Sequence, residues 1–162
     1  MSFNASKCNT IHILHSKGKA ALKFNYKLHG QTLESVKSSK YLGVTINDQL
    51  NWTEHVDNIA AKGKMKVGFL RRNFKECTQI TKAATYTTIV RPSLDYASSI
   101  WDPHLEKDKE SLEKVQRQAA RYVFNNYTDR TPGTVTTMLT NLNWESLERR
   151  RRIQRLLMLY KI

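Results

Sequence analysis

Residues 53–74 read TEHVDNIAAKGKMKVGFLRRNF, and this stretch decides the fold because its apolar residues recur every three or four positions. The apolar stripe comprises Val56, Ile59, Ala60, Gly63, Val67, Leu70 and Phe74. The cations lie mostly off that stripe and indicate a basic flank, made of Lys62, Lys64, Lys66, Arg71 and Arg72. The pattern predicts an amphipathic helix that begins near Thr53, which can cap it. Gly63 marks either a weak point in this helix or a place where another element packs tightly.

Helical patterns continue towards the C-terminus. A second helix is predicted from about Gln79 to Val90 and is ended by Pro92, with a shorter helix following as far as Trp101. Glu110 to Phe124 forms a third clear helix, with Leu112, Val115, Ala119, Tyr122 and Val123 on its apolar stripe. Thr131–Gly133 is predicted to be a loop, and a last helix runs from about Trp144 to Tyr160. This last helix contains the four consecutive arginines 149–152, which must point around most of its circumference, so at least one must approach the core.

The first third of the chain is predicted to be β structure. Thr10–Leu14 and Leu22–Leu28 are typical of short strands, and Ser16–Lys19 between them suggests a hairpin. A turn at 29–31 then leads to a strand at 41–46, where Gly43 indicates a bulge or the close approach of another backbone. The predicted fold class is therefore α+β, mainly α: a small N-terminal antiparallel hairpin or sheet in residues 1–50, and a helical bundle in residues 51–162.

The net charge of +13 and the sequence pI near 9.9 favour a polyanionic partner, and nucleic acid is favoured over a membrane. Residues 1–50 carry seven lysines against Glu34 and Asp48. Residues 111–162 carry ten basic side chains against four acidic ones, so the charge is concentrated at the two ends. A solvated basic surface that has no partner is the alternative interpretation of the same charge.

Metal-dependent catalysis is not expected. Nucleotidyl transfer by two metal ions needs converging carboxylates, and the sequence contains no Asp-Asp pair. Cys8, His12 and His15 do not form a zinc site, because His15 points to the opposite face of an extended segment and a fourth ligand is missing. The first residues lack the apolar run of an export signal, so we expect an intracellular protein, nuclear or cytoplasmic.

An ordered series of short motifs resembles the C-terminal part of a reverse transcriptase of non-LTR (LINE-type) retrotransposons. The motifs are Phe3-Asn4 with Lys7-Cys8, Tyr41-Leu42-Gly43-Val44, Gly68-Phe69-Leu70-Arg71-Arg72-Asn73, Val90-Arg91-Pro92 and Val115-Gln116-Arg117-Gln118-Ala119-Ala120-Arg121. The resemblance covers nearly the whole chain and begins just after the position of that family's catalytic aspartates. It implies the edge of the palm, a primer-grip-like segment, the thumb and the region after the thumb, in a fragment that is not itself an enzyme. At the position of Gly63 the family favours Ala.

The resemblance also implies site residues. Lys7 stands where that family has a lysine near the incoming triphosphate, and Tyr41, Leu42 and Gly43 match the primer grip, where Gly43 would let a sugar-phosphate approach closely. The helix at 53–74 is similar to the first thumb helix, which lies along the template–primer duplex. The further nucleic-acid-binding residues we expect are Lys62, Lys64, Lys66, Arg71, Arg72, Arg117, Arg121, Arg149, Arg150, Arg151 and Arg152.

The implied partners are an RNA–DNA hybrid or duplex nucleic acid and the remainder of the polymerase, with no membrane. No cofactor or metal is expected for this chain, although the parent enzyme would need Mg²⁺. Two alternatives stay open: a helical protein–protein interaction module that docks through Leu112, Val115 and Ala119, and an unstable retroelement relic with no independent function. The interaction module requires that stripe to be exposed and the lysines at 62–66 to be neutralised by acidic residues.

Overall fold

The computed structural model describes residues 3–13 and 24–161, and its fold is α+β and mainly α, as the sequence predicts. The chain divides into two compact units, Met1–His55 and Val56–Ile162. The strands all belong to the first unit and the helices mainly to the second. Because α1 spans Thr53–Asn73, its first turn belongs to the first unit and the rest to the second.

The first unit contains three small two-stranded sheets. Their strands are β1 (Asn9–Thr10), β2 (Lys27–Leu28), β3 (Gln31–Thr32), β4 (Glu34–Ser35), β5 (Ser38–Tyr41) and β6 (Val44–Asn47). β1 pairs with β4 in parallel, whereas β2 pairs with β3 and β5 with β6 in antiparallel register. A short 3₁₀ turn at Ala5–Lys7 precedes β1, and the Asn4 side chain caps it by accepting from the Ser6 N–H.

The predicted pairing of 10–14 with 22–28 is wrong where the structure describes those residues. Thr10 pairs with Ser35, and Leu28 pairs with Gln31. The predicted turn at 16–19, with the adjoining ends of both predicted strands, lies outside the described residues. β2 pairs with β3, the next strand along the chain, because the two residues between them, 29 and 30, form a tight hairpin turn. Both have positive φ, as such a turn requires.

The segment around Gly43 is a hairpin turn and not one continuous strand. β5 and β6 pair from Ser38↔Asn47 to Tyr41↔Val44, which leaves Leu42 and Gly43 as the two loop residues. Their φ angles are 45° and 88°, and positive φ at both positions is typical of a type I′ turn. Gly43 therefore supplies the backbone freedom that the turn requires, and the predicted bulge is wrong.

α1 confirms the first predicted helix. Val56, Ala60, Val67 and Leu70 on its apolar stripe are buried. Gly63 is also buried, and a Cβ placed on it would lie 3.0 Å from Val115 Cγ1 and 3.1 Å from Leu94 Cδ2. Of the two predictions for Gly63, tight packing is therefore the one confirmed.

Residues 79–95 stay helical through Pro92, contrary to the prediction. They comprise α2 (Gln79–Thr85), a π-helical turn (Tyr86–Val90) and α3 (Arg91–Asp95). Arg91 keeps helical φ and ψ of −55° and −41°, and its N–H donates to the carbonyl of Tyr86, five residues earlier. A proline ring clashes with the preceding turn of a regular α-helix, and the wider π-helical turn accommodates it.

The predicted short helix ending at Trp101 is absent from the described residues, since 96–100 form turns. Ala97 has φ of 53°, which is incompatible with a right-handed helix. Trp101 is fully buried, and its indole N–H donates to the Tyr96 carbonyl at 2.8 Å. An aromatic side chain anchored on the core thus organises this segment without a helix.

The remaining helices are α4 (Glu106–Phe124), α5 (Thr134–Asn141) and α6 (Leu147–Tyr160). α4 begins four residues before its predicted start, with Glu106 and Asp108 in its first turn, where carboxylates favour the helix dipole. α6 begins after Ser146, whose hydroxyl accepts from the Arg149 N–H at 3.2 Å. α5 was not predicted; its sequence is rich in threonine, and only Met138 of it is buried.

Candidate nucleic-acid interface

The cations of α1 are the only large group of predicted site residues that the structure leaves largely open to solvent. Lys62, Lys64, Arg71 and Arg72 are exposed, and Lys66 is half-buried. None of these five side chains forms an ion pair within the part of the chain that the structure describes. Their positive charge is therefore available to an anion in solution.

These cations occupy two flanks of α1 and do not form one. Residues four or seven positions apart share a helix face, so Lys62 lies with Lys66, and Lys64 lies with Arg71. Lys62 and Lys64 are two positions apart and point to opposite sides. The Lys66 ammonium donates to the Ile89 carbonyl at 3.0 Å, which ties the first flank to the π-helical turn. Lys66 thus has a structural contact that Lys62 and Lys64 lack.

A pocket lies at the C-terminal end of α1, and we call it the Tyr127 pocket. It has a volume of about 630 Å³ and is lined by Arg71, Arg72, Lys75, Glu76, Asn125 and Tyr127. The guanidinium carbon of Arg71 lies 4.0 Å from the centre of the Tyr127 ring. Burial raises the pKa of the Tyr127 hydroxyl, and the positive charge of Arg71 opposes that rise. Three cations and one carboxylate give the pocket a net positive lining.

Arg117 and Arg121 on α4 are engaged within the fold. Arg117 forms an ion pair with Glu110, which lies seven residues earlier on the same side of α4. Arg121 donates from Nη1 to the Asn126 carbonyl at 3.1 Å, which holds the loop that follows α4. Both side chains are half-buried, so their predicted contact with nucleic acid competes with contacts that the protein already makes.

The arginine run 149–152 is mostly paired inside the protein. Arg151 is 0% exposed and donates to Asp102 at 3.0 Å, which confirms that one arginine approaches the core and excludes this one from phosphate contact. Arg150 pairs with Asp95 at 2.9 Å, and Arg149 pairs with Glu145 at 3.2 Å. Among these described contacts, Arg152 is the one arginine of the run with neither an ion pair nor a hydrogen bond, and it is exposed.

The predicted residues of the first unit lie on its surface. Lys7 is the exposed last residue of the 3₁₀ turn. Tyr41, Leu42 and Gly43 are exposed at the tip of the β5–β6 hairpin. Tyr41 is 67% and Leu42 is 73% exposed, so neither is a core residue of a strand, and both can contact another molecule.

The apolar stripe of α4 through which an interaction module would dock lies in the core. Leu112, Val115 and Ala119 are each 0% exposed. The interaction module as predicted needed this stripe to face solvent and the α1 lysines to be neutralised, and neither condition is met. Docking through these three residues is therefore excluded in this fold.

Two further properties limit the chemistry of the described residues. No group of three or more His, Cys, Asp or Glu side chains in ranges 3–13 and 24–161 could hold a metal ion. Asp95 and Asp102 are each bound to arginines of α6, so the negative charge of both carboxylates is compensated within the fold. Over the same ranges, no helix combines the length and the apolar character needed to cross a membrane.

Sequence reasoning missed Lys75, Asn125 and Tyr127, which complete the Tyr127 pocket. Asn125 has φ of 52° and ends α4 as a left-handed cap. An asparagine that follows a helical pattern can predict such a helix end. Its position beside α1 depends on tertiary packing, which no local pattern shows. No family model, no curated protein and no solved structure matches this chain.

Proposed function

We propose that this chain binds nucleic acid of the primer–template kind through α1, as the thumb-like part of a non-LTR retrotransposon reverse transcriptase. The observation that carries the proposal is the set of α1 cations, which have no acidic partner among the described residues, whereas every arginine of α6 except Arg152 is paired. Each free cation that neutralises a phosphate releases condensed counterions, which favours binding to a duplex irrespective of its sequence. The motif series described above supplies the reverse-transcriptase assignment.

In this proposal the chain positions nucleic acid and does not carry out the polymerase reaction. The hairpin tip at 41–43 is the primer-grip-like element, and Lys7 is a residue near the incoming triphosphate. Nucleotidyl transfer itself belongs to carboxylates that this sequence does not contain. The remainder of the polymerase is then the protein partner, and the compartment is the nucleus or cytoplasm.

The test is a charge reversal on the two α1 lysines that have no structural contact. Lys62→Glu/Lys64→Glu reverses one lysine on each flank of α1. Whichever flank faces the duplex, the variant should weaken binding of an RNA–DNA hybrid about equally for all sequences and reduce the slope of log K against log salt by about 1. Lys66 is left unchanged because it donates to the Ile89 carbonyl. Affinity is measured by fluorescence anisotropy from low to moderate salt, with duplex DNA and single-stranded RNA for comparison.

The matched control is Lys107→Glu/Lys114→Glu, which reverses two exposed lysines of α4 and changes the net charge by the same amount. It should retain most of the affinity. If both double variants lose affinity equally, the attraction is a property of total charge and α1 is not the interface. If neither loses any, nucleic acid does not contact these helices.

A second candidate function, protein–protein interaction, is favoured by the far end of α6. Large apolar side chains are exposed there, namely Leu156, Leu157, Met158, Leu159 and Tyr160. A contiguous exposed apolar surface is typical of a contact with another protein. Leu157→Lys/Leu159→Lys should abolish any concentration-dependent association seen by sedimentation velocity, and a wild-type chain that sediments as a monomer at all concentrations would exclude self-association through this end of α6.

A further inference from the structure

The Tyr127 pocket combines positive charge with a planar surface. Arg72 and Lys75 supply cations at its rim, and Arg71 contacts the Tyr127 ring with its guanidinium group. Arg71 is exposed, so part of its guanidinium remains open to a further planar group. A guanidinium supported by an aromatic ring is a surface on which an unpaired base can stack.

The positive charge of the Tyr127 pocket, taken alone, has a simpler explanation, because cations in the last turn of a helix interact favourably with the helix dipole. Arg71 and Arg72 occupy that turn of α1. The dipole does not explain why Arg71 reaches the Tyr127 ring, which belongs to the loop after α4. Nor does it explain a cavity of about 630 Å³ at this place, which is within the range of about 300–1,000 Å³ for small-molecule sites.

The loop that carries Tyr127 is fixed from several sides. The buried Lys82 donates from Nζ to Asn125 Oδ1 at 2.8 Å, and Arg121 donates to the Asn126 carbonyl at 3.1 Å. The Asp129 N–H donates to Asn126 Oδ1 at 3.2 Å. A ring held in this way is pre-organised, and a ligand that stacks beside it loses little free energy to ordering of the protein.

We propose that the Tyr127 pocket binds one nucleotide of a single-stranded nucleic acid, with the base stacked on Arg71 and the phosphate at Arg72, since Lys75 already pairs with Glu76 at 3.8 Å. The site is distinct in kind from the duplex contact of Lys62 and Lys64, since stacking requires a base that is out of its pair. It rests on the proposed function in that nucleic acid is the ligand. RNA and DNA share the chemistry used here, and the probes below separate them.

The test uses a single-stranded RNA of about ten nucleotides and its DNA counterpart, each carrying 2-aminopurine, whose fluorescence falls on stacking. Arg71→Lys keeps the charge and removes the planar group. We expect this variant to bind either probe about 5- to 100-fold more weakly than wild type and to lose the fluorescence change. The hybrid control is Tyr127→Leu, which removes no cation, so its affinity for the RNA–DNA hybrid should change less than about twofold.

Tyr127 supplies a second, independent pair of variants. Tyr127→Leu removes the ring beneath Arg71 and should weaken single-strand binding as Arg71→Lys does, whereas Tyr127→Phe keeps the ring and should bind as wild type does. Circular dichroism checks that each variant is folded. If Tyr127→Leu does not fold, Arg71→Lys, which alters an exposed side chain, decides the matter alone.

Three results would overturn the proposal. The first is wild-type binding without a fluorescence change, and the second is unchanged single-strand affinity in Arg71→Lys. The third is displacement of the oligonucleotide by polyphosphate of equal charge at equal concentration, because the pocket would then hold a phosphate only. The duplex interface is judged separately by Lys62→Glu/Lys64→Glu on the hybrid. A failure of stacking with a normal response of that variant leaves the proposed function intact.

Discussion

Substitution of the two glycines of α1 by alanine should change stability in opposite directions. Both Gly63 and Gly68 lie inside the helix, where alanine is favoured over glycine by about 1 kcal/mol of intrinsic propensity. A Cβ at residue 68 would meet only Arg72 Nη1, the end of a flexible side chain, at 3.6 Å. Gly68→Ala should therefore raise the free energy of unfolding by about 0.5–1 kcal/mol.

Gly63→Ala has to overcome the packing of α1 on its neighbours. The new methyl would lie 3.0 Å from Val115 Cγ1 and 3.1 Å from Leu94 Cδ2, whereas carbon atoms in good contact are about 3.5–4.0 Å apart. Val115 and Leu94 are both 0% exposed, so neither side chain can give way towards solvent. Overpacking of this kind costs about 1–3 kcal/mol, which exceeds the propensity gain, so the variant should be destabilised by roughly 0–2 kcal/mol.

The measurement is urea unfolding followed by circular dichroism at helical wavelengths, with a check that the m-value is unchanged. The two variants should differ by about 0.5–3 kcal/mol in the free energy of unfolding. Equal stabilisation of the two variants would refute the packing argument, and Gly63 would then have no structural justification.

Two further predictions concern ion pairs and acid stability. Arg151→Ala removes a fully buried side chain that pairs with Asp102, which keeps Arg155 as a partner, and should cost about 1–3 kcal/mol in urea unfolding, while Arg152→Ala, the exposed neighbour, should cost less than about 0.5 kcal/mol. Similar losses in both would mean that Arg151 is not buried as described. Hydrogen bonds from Thr131 and Thr134 lower the pKa of Asp129 from 3.8 to about 2, so this carboxylate stabilises the fold above about pH 4, and the contribution is lost as the pH falls towards 2. Asp129→Asn should therefore be less stable at neutral pH and show a shallower decline between pH 4 and 2 in urea midpoints, and parallel declines in the two proteins would contradict this role.

Helices with a sustained apolar stripe could be predicted from the sequence. α1 and α4 have such stripes, and their predicted bounds, like those of α6, agree within a few residues. Elements that depend on distant partners could not be predicted. α5 has a threonine-rich sequence with weak helix propensity, and Thr10 finds its partner in Ser35 and not in the nearer strand. Local pattern also cannot show a π-helical turn, which is what lets 79–95 continue through Pro92.

The candidate site could be predicted only in part, for a similar reason. The cations of α1 were identified by their distance from the apolar stripe, which the helix period determines. Their division between two flanks follows from the same period, but the contact of Lys66 with the Ile89 carbonyl and that of Arg71 with Tyr127 come from other elements. The Tyr127 pocket joins residues about fifty positions apart, so no window of sequence contains it.

The arrangement of charge reverses the order in which the basic clusters would be ranked by sequence. The four arginines at 149–152 are the densest cluster, yet three of them pair with Glu145, Asp95 and Asp102 and hold α6 to the fold. A paired cation releases no counterion when a phosphate approaches unless its own ion pair breaks first, so density of charge along the chain does not predict affinity. The sparser cations of α1 have no such partner among the described residues, and they project from a helix whose other face is buried. The salt dependence of binding should therefore follow α1, and reversal of Arg152 alone should change it by no more than one phosphate contact.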